Sequence, residues 1–433
     1  MACRLDPCPG ILAHSFQFVE RGKWRSWRTA SKNGREVKRF LEELEQFAID
    51  VVLERRQGKR AAVLRGALAT LSQVYSWLVA ARLRLYRYRI LRERNLGCLV
   101  VSIGNLTVGG TGKTPVVEKF ARALQDGGRR VAILSRGYKS VKPPLWGRIK
   151  RRMTGKQPEI DPPRVVSDGS KLLLDSKTAG DEPYMLAANL KDVVVITDKD
   201  RIKSGIHAIK QLKVDTLILD DGLQYLRLRH RLDIVLVDRY QPFGNEFLLP
   251  RGTLREPPQN LRRASYIFIT KCNGEPNDEL IQRIRKYNRT AEIIECTHEP
   301  KYLEEIETRD RFPLAVLEGK RIGTISAIAV PESFETGLTK LGAEIIHTRR
   351  FADHHRYSEQ EIISFINRCK DVGTEMIVTT EKDSVRFPRL PRVDVPMFFL
   401  RVEIGIVSNE ESFTECISRI CQPPPVVSPQ RFF

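Results

Sequence analysis

An open, doubly wound α/β sheet followed by a second, smaller α/β unit is the fold the sequence predicts, and three observations predict it. Short apolar runs rich in β-branched residues alternate with stretches whose apolar residues recur at helical spacing, the pattern of a parallel sheet covered on both faces. A Gly-rich turn separates the first such run from the helix after it. At 433 residues the chain is long enough for two or three domains of about 150 residues, each with its own core.

Taken in order, residues 98–104 (CLVVSIG) form the first strand, and helical spacing follows from 115 to 124. Further apolar runs at 131–135, 193–197, 217–219 and 234–237 supply parallel strands with helix-like sequence between them. Residues 139–156 carry seven Lys or Arg and no acid, broken by Pro and Gly, and read as a surface insertion. From about 318 the pattern restarts: strands at 322–328, 343–347, 377–380 and 398–402, helices at 332–341 and 358–370, and a loose tail after Pro423. The division that follows is an extension over 1–60, a basic amphipathic helix over 61–94, a phosphate-loop domain over 95–317 and the smaller unit over 318–433.

Charge separates the function classes. Lys+Arg of 73 against Asp+Glu of 53 gives +20, which points to a polyanion: nucleic acid, an anionic membrane or a phosphorylated substrate. No charge-free apolar run reaches the length of a membrane span, which argues against an integral membrane protein. Eight scattered cysteines without a C-x-x-C pair, and seven histidines without ligand spacing, leave a hard cation on carboxylates as the metal chemistry to look for. In residues 61–94, Leu64, Leu68, Leu71, Val74, Trp77, Leu78 and Leu85 keep a helical period and run into Arg82, Arg84, Arg87, Arg89, Arg92 and Arg94. Such a helix either lies on an anionic membrane or packs on the protein with a solvated basic end.

Two motifs carry the chemistry. Thr107-Val108-Gly109-Gly110-Thr111-Gly112-Lys113-Thr114 fits G-x-x-x-x-G-K-[ST] with threonine in place of the first glycine. The glycines let backbone N–H groups close on phosphate oxygens, Lys113 reaches the β/γ-phosphates, Thr114 is placed for Mg²⁺, and Pro115 pre-sets the helix that follows. Leu217-Ile218-Leu219-Asp220-Asp221-Gly222 brings acid to the end of a strand on the same sheet edge, where the metal of a nucleotide site sits. The fold class is thus a P-loop NTPase-like sheet that binds a nucleotide with Mg²⁺, and the resemblance described next makes that nucleotide ATP.

These motifs stand in a longer ordered set: Ser102 to Pro115, Ser135-Arg136-Gly137-Tyr138, Gly180-Asp181-Glu182-Pro183, Asp220 to Gln224, Leu254-Arg255-Glu256, Asp353-His354 and Thr380-Glu381-Lys382-Asp383. The set, collinear from about residue 61 to 400, resembles the tetraacyldisaccharide 4′-kinases, the lipid A 4′-kinases. The resemblance implies ATP-dependent phosphorylation of the 4′-hydroxyl of an acylated glucosamine disaccharide 1-phosphate at a membrane surface. It implies Asp181 as the base for the sugar hydroxyl, tuned by His354, with Lys113 as the third catalytic residue. It implies nucleotide binding by Thr107, Gly109, Gly110, Thr111, Gly112, Lys113 and Thr114. Metal and phosphate contacts fall on Thr114, Asp220, Asp221 and Glu256, and substrate contacts on Arg136, Tyr138, Arg201 and Arg255. It also favours the membrane-surface reading of residues 61–94, making an acylated disaccharide phosphate lipid and an anionic membrane the partners, with no nucleic acid.

The chain departs from the family pattern in its first 60 residues, in the basic insertion after Tyr138 and in extra sequence around 274–317. Residues 21–35 are rich in Arg and Ser and suit a transit segment, mitochondrial or, alternatively, plastid; Asp6, Glu20 and the acids at 42–45 suit an accessory extension instead. Together the departures suggest an organellar, eukaryotic relative. Two rivals come from other classes: a P-loop NTPase working on nucleic acid, and a GTP-binding switch. The second rests on Ile269-Thr270-Lys271-Cys272-Asn273 and Thr380-Glu381-Lys382-Asp383, each a partial likeness to N-K-x-D.

Overall fold

The computed structural model describes residues 44, 46–137, 162–388 and 394–422. Tyr138, the basic insertion and the tail after 423 fall outside them. After a short helical stretch over 46–52 comes a long helix, α1 (Lys59–Arg87). It stops short of the basic stretch expected to continue it to 94: Tyr88 caps it, and Arg89 turns the chain with φ 59. The core begins with β1 (Leu99–Asn105), α2 (Lys113–Asp126) and β2 (Val131–Ser135), followed by β3 (Arg164–Asp168), α3 (Ser176–Ala179), α4 (Asp181–Asn189) and β4 (Val194–Thr197). Next come α5 (Arg201–Leu212), β5 (Thr216–Asp220), β6 (Leu232–Asp238), β7 (Tyr266–Thr270), α6 (Asp278–Arg285) and β8 (Glu292–Glu305). The remainder is β9 (Arg311–Phe312), β10 (Arg321–Ser326), α7 (Pro331–Lys340), β11 (Glu344–Arg350), α8 (Glu359–Asp371), β12 (Met376–Thr380), α9 (Glu381–Ser384), β13 (Met397–Ser408) and α10 (Glu410–Cys421).

All these strands join one mixed sheet, ordered β11-β10-β12-β13-β8-β7-β6-β1-β5-β2-β4-β3 with β9 beside β8. Strands with side chains buried on both faces need helices on both faces, and period-two alternation sorts the residues. Val101, Ile103, Ile133 and Ile218 point to the face of α2 and α4; Val100, Leu134, Leu217 and Leu219 point to the face of α5. The expected doubly wound arrangement is therefore present. β3, β7, β8 and the short β9 are additional to the strands expected, and β8 and β9 lie in the stretch 274–317 that the sequence suggested was an addition. Instead β8 lies inside the sheet, pairing in parallel with β7 through its first residues and antiparallel with β13 through the rest.

That β8–β13 ladder is what joins the two halves of the sheet. β13 leaves β12 in the C-terminal half and runs back along β8, so that α10 lands on the first half, where Phe413 packs edge-on to Phe120 of α2 at 5.1 Å. Rings of this size contribute roughly 2–3 kcal/mol each on full burial. A buried ion cluster reinforces the join. Arg401 of β13 pairs with Glu118 of α2 and, at 2.8 Å, with Glu381 of α9, which also accepts from Asn189 Nδ2 of α4 at 2.5 Å. Burial pushes the Glu381 carboxyl up, but the Arg401 guanidinium is raised by Glu381 and Glu118 against its own desolvation, so charge is matched rather than lost.

Candidate active site

The phosphate loop forms because β1 ends in a fully buried Asn105 and the chain must turn sharply into α2. Asn105 Nδ2 donates to the Thr107 carbonyl at 2.8 Å and its Oδ1 accepts from Lys113 Nζ at 3.1 Å, closing the loop on itself. Gly109 (φ 131) and Gly112 (φ 74) take left-handed conformations that a side chain would strain. Space around Gly109 and Gly110 is open, whereas a Cβ on Gly112 would meet the His298 ring of β8 at 2.7 Å. Burial, then the Lys271 charge, push that imidazole down to about 4, so it packs as a neutral ring behind the loop. From the sides, Thr270 Oγ1 donates to the Thr111 carbonyl at 3.0 Å, and Val108 N donates to the Thr253 carbonyl at 2.7 Å. Thr107 itself pairs with Leu254, an isolated bridge that a glycine could also make.

The paired acids sit on the neighbouring strand because β1 and β5 run in parallel register, Ile103 opposite Asp220. Asp220 is buried and accepts from Ser135 Oγ at 2.9 Å. Burial first, then the negative charges of Glu182 and Asp221, push its carboxyl up to about 6, against the pull of Lys113. Asp221 behaves oppositely. Burial pushes it up too, yet Lys113 at 3.5 Å and both oxygens' bonds to Arg255 Nη1, at 2.8 and 2.7 Å, hold it below the usual carboxylate range. Two adjacent acids are thus set to different proton affinities by their neighbours.

A third acid lies at the start of α4, where Gly180 (φ 96) breaks the chain between α3 and α4. Asp181 accepts from Arg386 Nε at 2.8 Å and Arg356 Nη2 at 3.0 Å, and faces His354 Nδ1 at 3.4 Å. Burial pushes Asp181 up; His354, Arg386 and Arg356 outweigh it and hold the carboxyl below its ordinary range. All three partners come from the C-terminal half of the sheet. His354 stands in a left-handed turn (φ 64), its backbone N–H on the Ala327 carbonyl at 3.2 Å. Its other nitrogen, Nε2, lies 3.4 Å from Lys382 Nζ, which is also 3.4 Å from Glu182. Glu182 therefore connects the two clusters, paired with Lys382 on one side and repelling Asp220 on the other.

The structure gathers Lys113, Asp220, Asp221 and Arg255 at the phosphate loop and joins Asp181 to His354. It does not bring in every expected residue. Glu256 is buried with Oε2 taken by Asn260 Nδ2 (2.8 Å) and Arg263 Nη2 (2.7 Å), so in this structure it braces its own loop instead of meeting the acid pair. Arg201, expected to face substrate, is buried under β5 with Nη2 on the Asp220 carbonyl at 3.4 Å and its guanidinium 5.2 Å from the Tyr225 ring centre. The negative pocket of Asp220 and Asp221 draws it inward. Arg136 is exposed at the end of β2, and Thr114 opens α2 beside Lys113. Arg356, Arg386, Lys382, Ser135 and Asn105 are contributors to which sequence reasoning assigned no role. Most lie in or beside the ordered blocks, but Arg386 has no signal in one sequence.

The partial guanine-like stretches are also accounted for. Lys271 is ion-paired to Asp238 at 2.5 Å, and the 380–383 stretch is α9, beside Asp181.

Fold and site together place the protein among the P-loop phosphotransferases, in which the chain positions donor and acceptor and neutralises charge without a covalent intermediate. Comparison with known proteins narrows this. Residues 64–422 match the family described as tetraacyldisaccharide-1-P 4′-kinase. The tetraacyldisaccharide 4′-kinase of Syntrophus aciditrophicus is 37% identical over 366 residues, covering 82% of this chain and 93% of that one. That of Halothermothrix orenii is 33% identical over 365 residues, covering 82% and 91%. Among solved structures, LpxK from Aquifex aeolicus in complex with ATP is 28% identical, with a TM-score of 0.65 over 83% of this chain and 100% of that chain. The chain belongs to the tetraacyldisaccharide 4′-kinase family.

Proposed function

We propose that the chain transfers the γ-phosphoryl group of ATP to the 4′-hydroxyl of a tetraacylated glucosamine disaccharide 1-phosphate, working as a peripheral protein on an anionic membrane. Family membership carries the activity; one observation in this chain supports it above others. A P-loop lysine and paired acids on one side are linked through Glu182 and Lys382 to an ionised carboxylate, Asp181, whose partners come from the other half of the sheet. An ionised carboxylate in that position suits the acceptance of a proton from an attacking hydroxyl.

In this reading Gly109, Gly110, Thr111 and Gly112 offer backbone N–H groups to phosphate, and Lys113 turns from Asn105 and Asp221 to the phosphates. The acceptor oxygen forms the new bond to Pγ as the bond from Pγ to the bridging oxygen breaks, releasing ADP, and the hydroxyl proton goes to Asp181. A carboxylate held low by two guanidinium groups is a weak base. It suits a late proton transfer, in a reaction whose barrier lies mostly in positioning and charge. The His354 ring stands among the groups that set Asp181: Nδ1 lies 3.4 Å from Asp181 and 3.3 Å from Arg386 Nη2, and Nε2 lies 3.4 Å from Lys382 Nζ. Of the arginines expected at the substrate, Arg255 and the exposed Arg136 are placed to meet one of its phosphates. Arg201 supports β5 and Glu256 supports the Arg255 loop.

A divalent cation fits the same place. Thr114, Asp220 and Asp221 are hard oxygen donors beside the phosphate loop, and the raised Asp220 carboxyl marks a buried acid short of positive charge. Mg²⁺ bound there would neutralise phosphate charge.

Membrane association is supported by α1. Its Ser72 and Tyr75 side is docked on the protein, while Val63, Leu71, Val74, Trp77 and Leu78 project outward, Trp77 with 74% of its surface exposed. Basic residues follow at its C-terminal end, the composition of an interfacial helix. Among the described residues no helix is long and apolar enough to cross a membrane. We further infer delivery to mitochondria from the Arg- and Ser-rich stretch near the N-terminus, which an import assay with isolated mitochondria and plastids tests.

The deciding experiment offers the tetraacyl disaccharide 1-phosphate, beside simple alcohols, to the purified chain with ATP and Mg²⁺. Transfer to the lipid alone is expected, abolished in Lys113→Ala and reduced about 10²–10⁴-fold in Asp181→Ala. Undiminished turnover by either variant refutes its role.

A further inference from the structure

Ahead of the region matched by the family lies a segment that the fold does not leave loose. Residues 46–52 are helical, and the helix ends on Glu54 in a left-handed conformation (φ 62), with Arg55 N bonded back to the Asp50 carbonyl at 2.9 Å. Val51 is 0% exposed. The loop following β6 is bonded to this segment: Asn245 Nδ2 donates to the Val52 carbonyl at 3.0 Å, and Arg251 Nη2 pairs with Glu54 at 2.7 Å. Arg251 is itself buried, its guanidinium 4.4 Å from the Phe247 ring centre. A buried guanidinium needs a counter-charge, and Glu54 supplies it.

The loop so held, residues 243–255, is no bystander. Its Thr253 carbonyl accepts from Val108 N at 2.7 Å, Leu254 pairs with Thr107, and Arg255 N donates to the Leu106 carbonyl at 2.7 Å. It thus forms the outer wall of the phosphate loop and carries Arg255 to Asp221. On its other side α1 grips it, through Ser72 Oγ on the Leu248 carbonyl (2.9 Å) and Tyr75 OH on the Arg255 carbonyl (3.0 Å).

We propose that residues 46–56 are an intrachain brace, in which Val51 and Glu54 act as positioning residues that fix the 243–255 loop and, through it, the backbone of residues 106–108 and the Arg255 side chain. The brace rests on the proposed kinase function only for its kinetic readout.

The test uses the full chain with Val51→Ser, Glu54→Lys and the conservative Glu54→Asp. Amide hydrogen exchange is followed over peptides spanning 104–112 and 243–256, beside kcat and the KM for ATP. Val51→Ser and Glu54→Lys are expected to speed exchange at Val108, Leu254 and Arg255 about tenfold or more while β4 and β12 keep their protection. They are expected to raise the KM for ATP several-fold with kcat within about twofold, the signature of loosened ground-state positioning. Glu54→Asp is expected to restore both. Unchanged exchange in the two peptides overturns the brace, and so does a uniform rise across the molecule, which marks a general loss of stability. Because exchange is read without substrate, a protein inactive on the lipid yet protected by Glu54 refutes the kinase reading and leaves the brace standing.

Discussion

Replacing Arg386 by methionine probes how Asp181 is kept ionised. The Arg386 side chain is 0% exposed and donates to Asp181 Oδ2 (2.8 Å), to Asp383 Oδ1 (3.0 Å) and to the Ala327 carbonyl (3.1 Å). Methionine fills much of the volume but strips a guanidinium from two buried carboxylates. Breaking a buried pair costs about 3–5 kcal/mol, and the lower end applies here because both acids keep donors: Arg356 on Asp181, Thr380 Oγ1 on Asp383. The pH dependence has a definite sign. The folded Asp181 carboxyl lies below its unfolded value, so its contribution is complete above about pH 4 and is lost as pH falls through the lowered folded value. In the variant, burial faces less opposition and pushes Asp181 up, so the variant recovers part of its loss by taking a proton. The measurement is urea unfolding of both proteins at pH 7 and at about pH 4. The gap is expected to be about 3 kcal/mol at pH 7 and clearly smaller at the lower pH. A gap under about 1 kcal/mol at pH 7, or one that does not narrow, refutes the reasoning.

Two further outcomes follow from the same structure. Asp220 sits at about 6, above its unfolded value, so the folded protein holds its proton more tightly and loses roughly 2–3 kcal/mol of stability as pH rises from about 4 to 6. Asp220→Asn is expected to flatten that slope in thermal melts, and to abolish any stabilisation by added Mg²⁺ with ATP; an unchanged slope sinks the assignment. On α1, Trp77→Ser with Leu78→Ser removes two exposed apolar side chains, roughly 1.5–3 kcal/mol each if they enter lipid. Flotation with anionic vesicles is expected to weaken about 10²-fold, and undiminished binding removes the helix from the membrane account.

The phosphate loop and the acid-ended strand were legible because their chemistry is local. Gly109, Gly112 and Lys113 lie within a few residues, and Asp220 ends an apolar run that can only be a strand. Helix α1 was legible from its period, but not its end at Arg87 or the burial of Ser72 against Leu248, since a period tells which residues share a face and nothing of what covers that face. β8 was missed for a related reason. Its polar residues each find a local partner, Glu295 accepting from Asn277, His298 packing behind Gly112 and Glu299 lying over Gly405 of β13, so no alternation marks it.

Arg201 and Glu256 show the same limit from the other side: a charge type suited to phosphate or metal does not say which way the side chain turns. Arg201 answers the buried acids beside it, and Glu256 answers Arg263. Local residue order was enough for the kind of site, a phosphate cradle with acid beside it on a parallel sheet, because backbone conformation and strand-end position follow from neighbouring residues. Which acid is held ionised, and by what, depends on long-range packing. The β8–β13 ladder carries Arg386, Arg356 and His354 across to Asp181, and proton affinity depends on charges brought within a few ångströms from far along the chain.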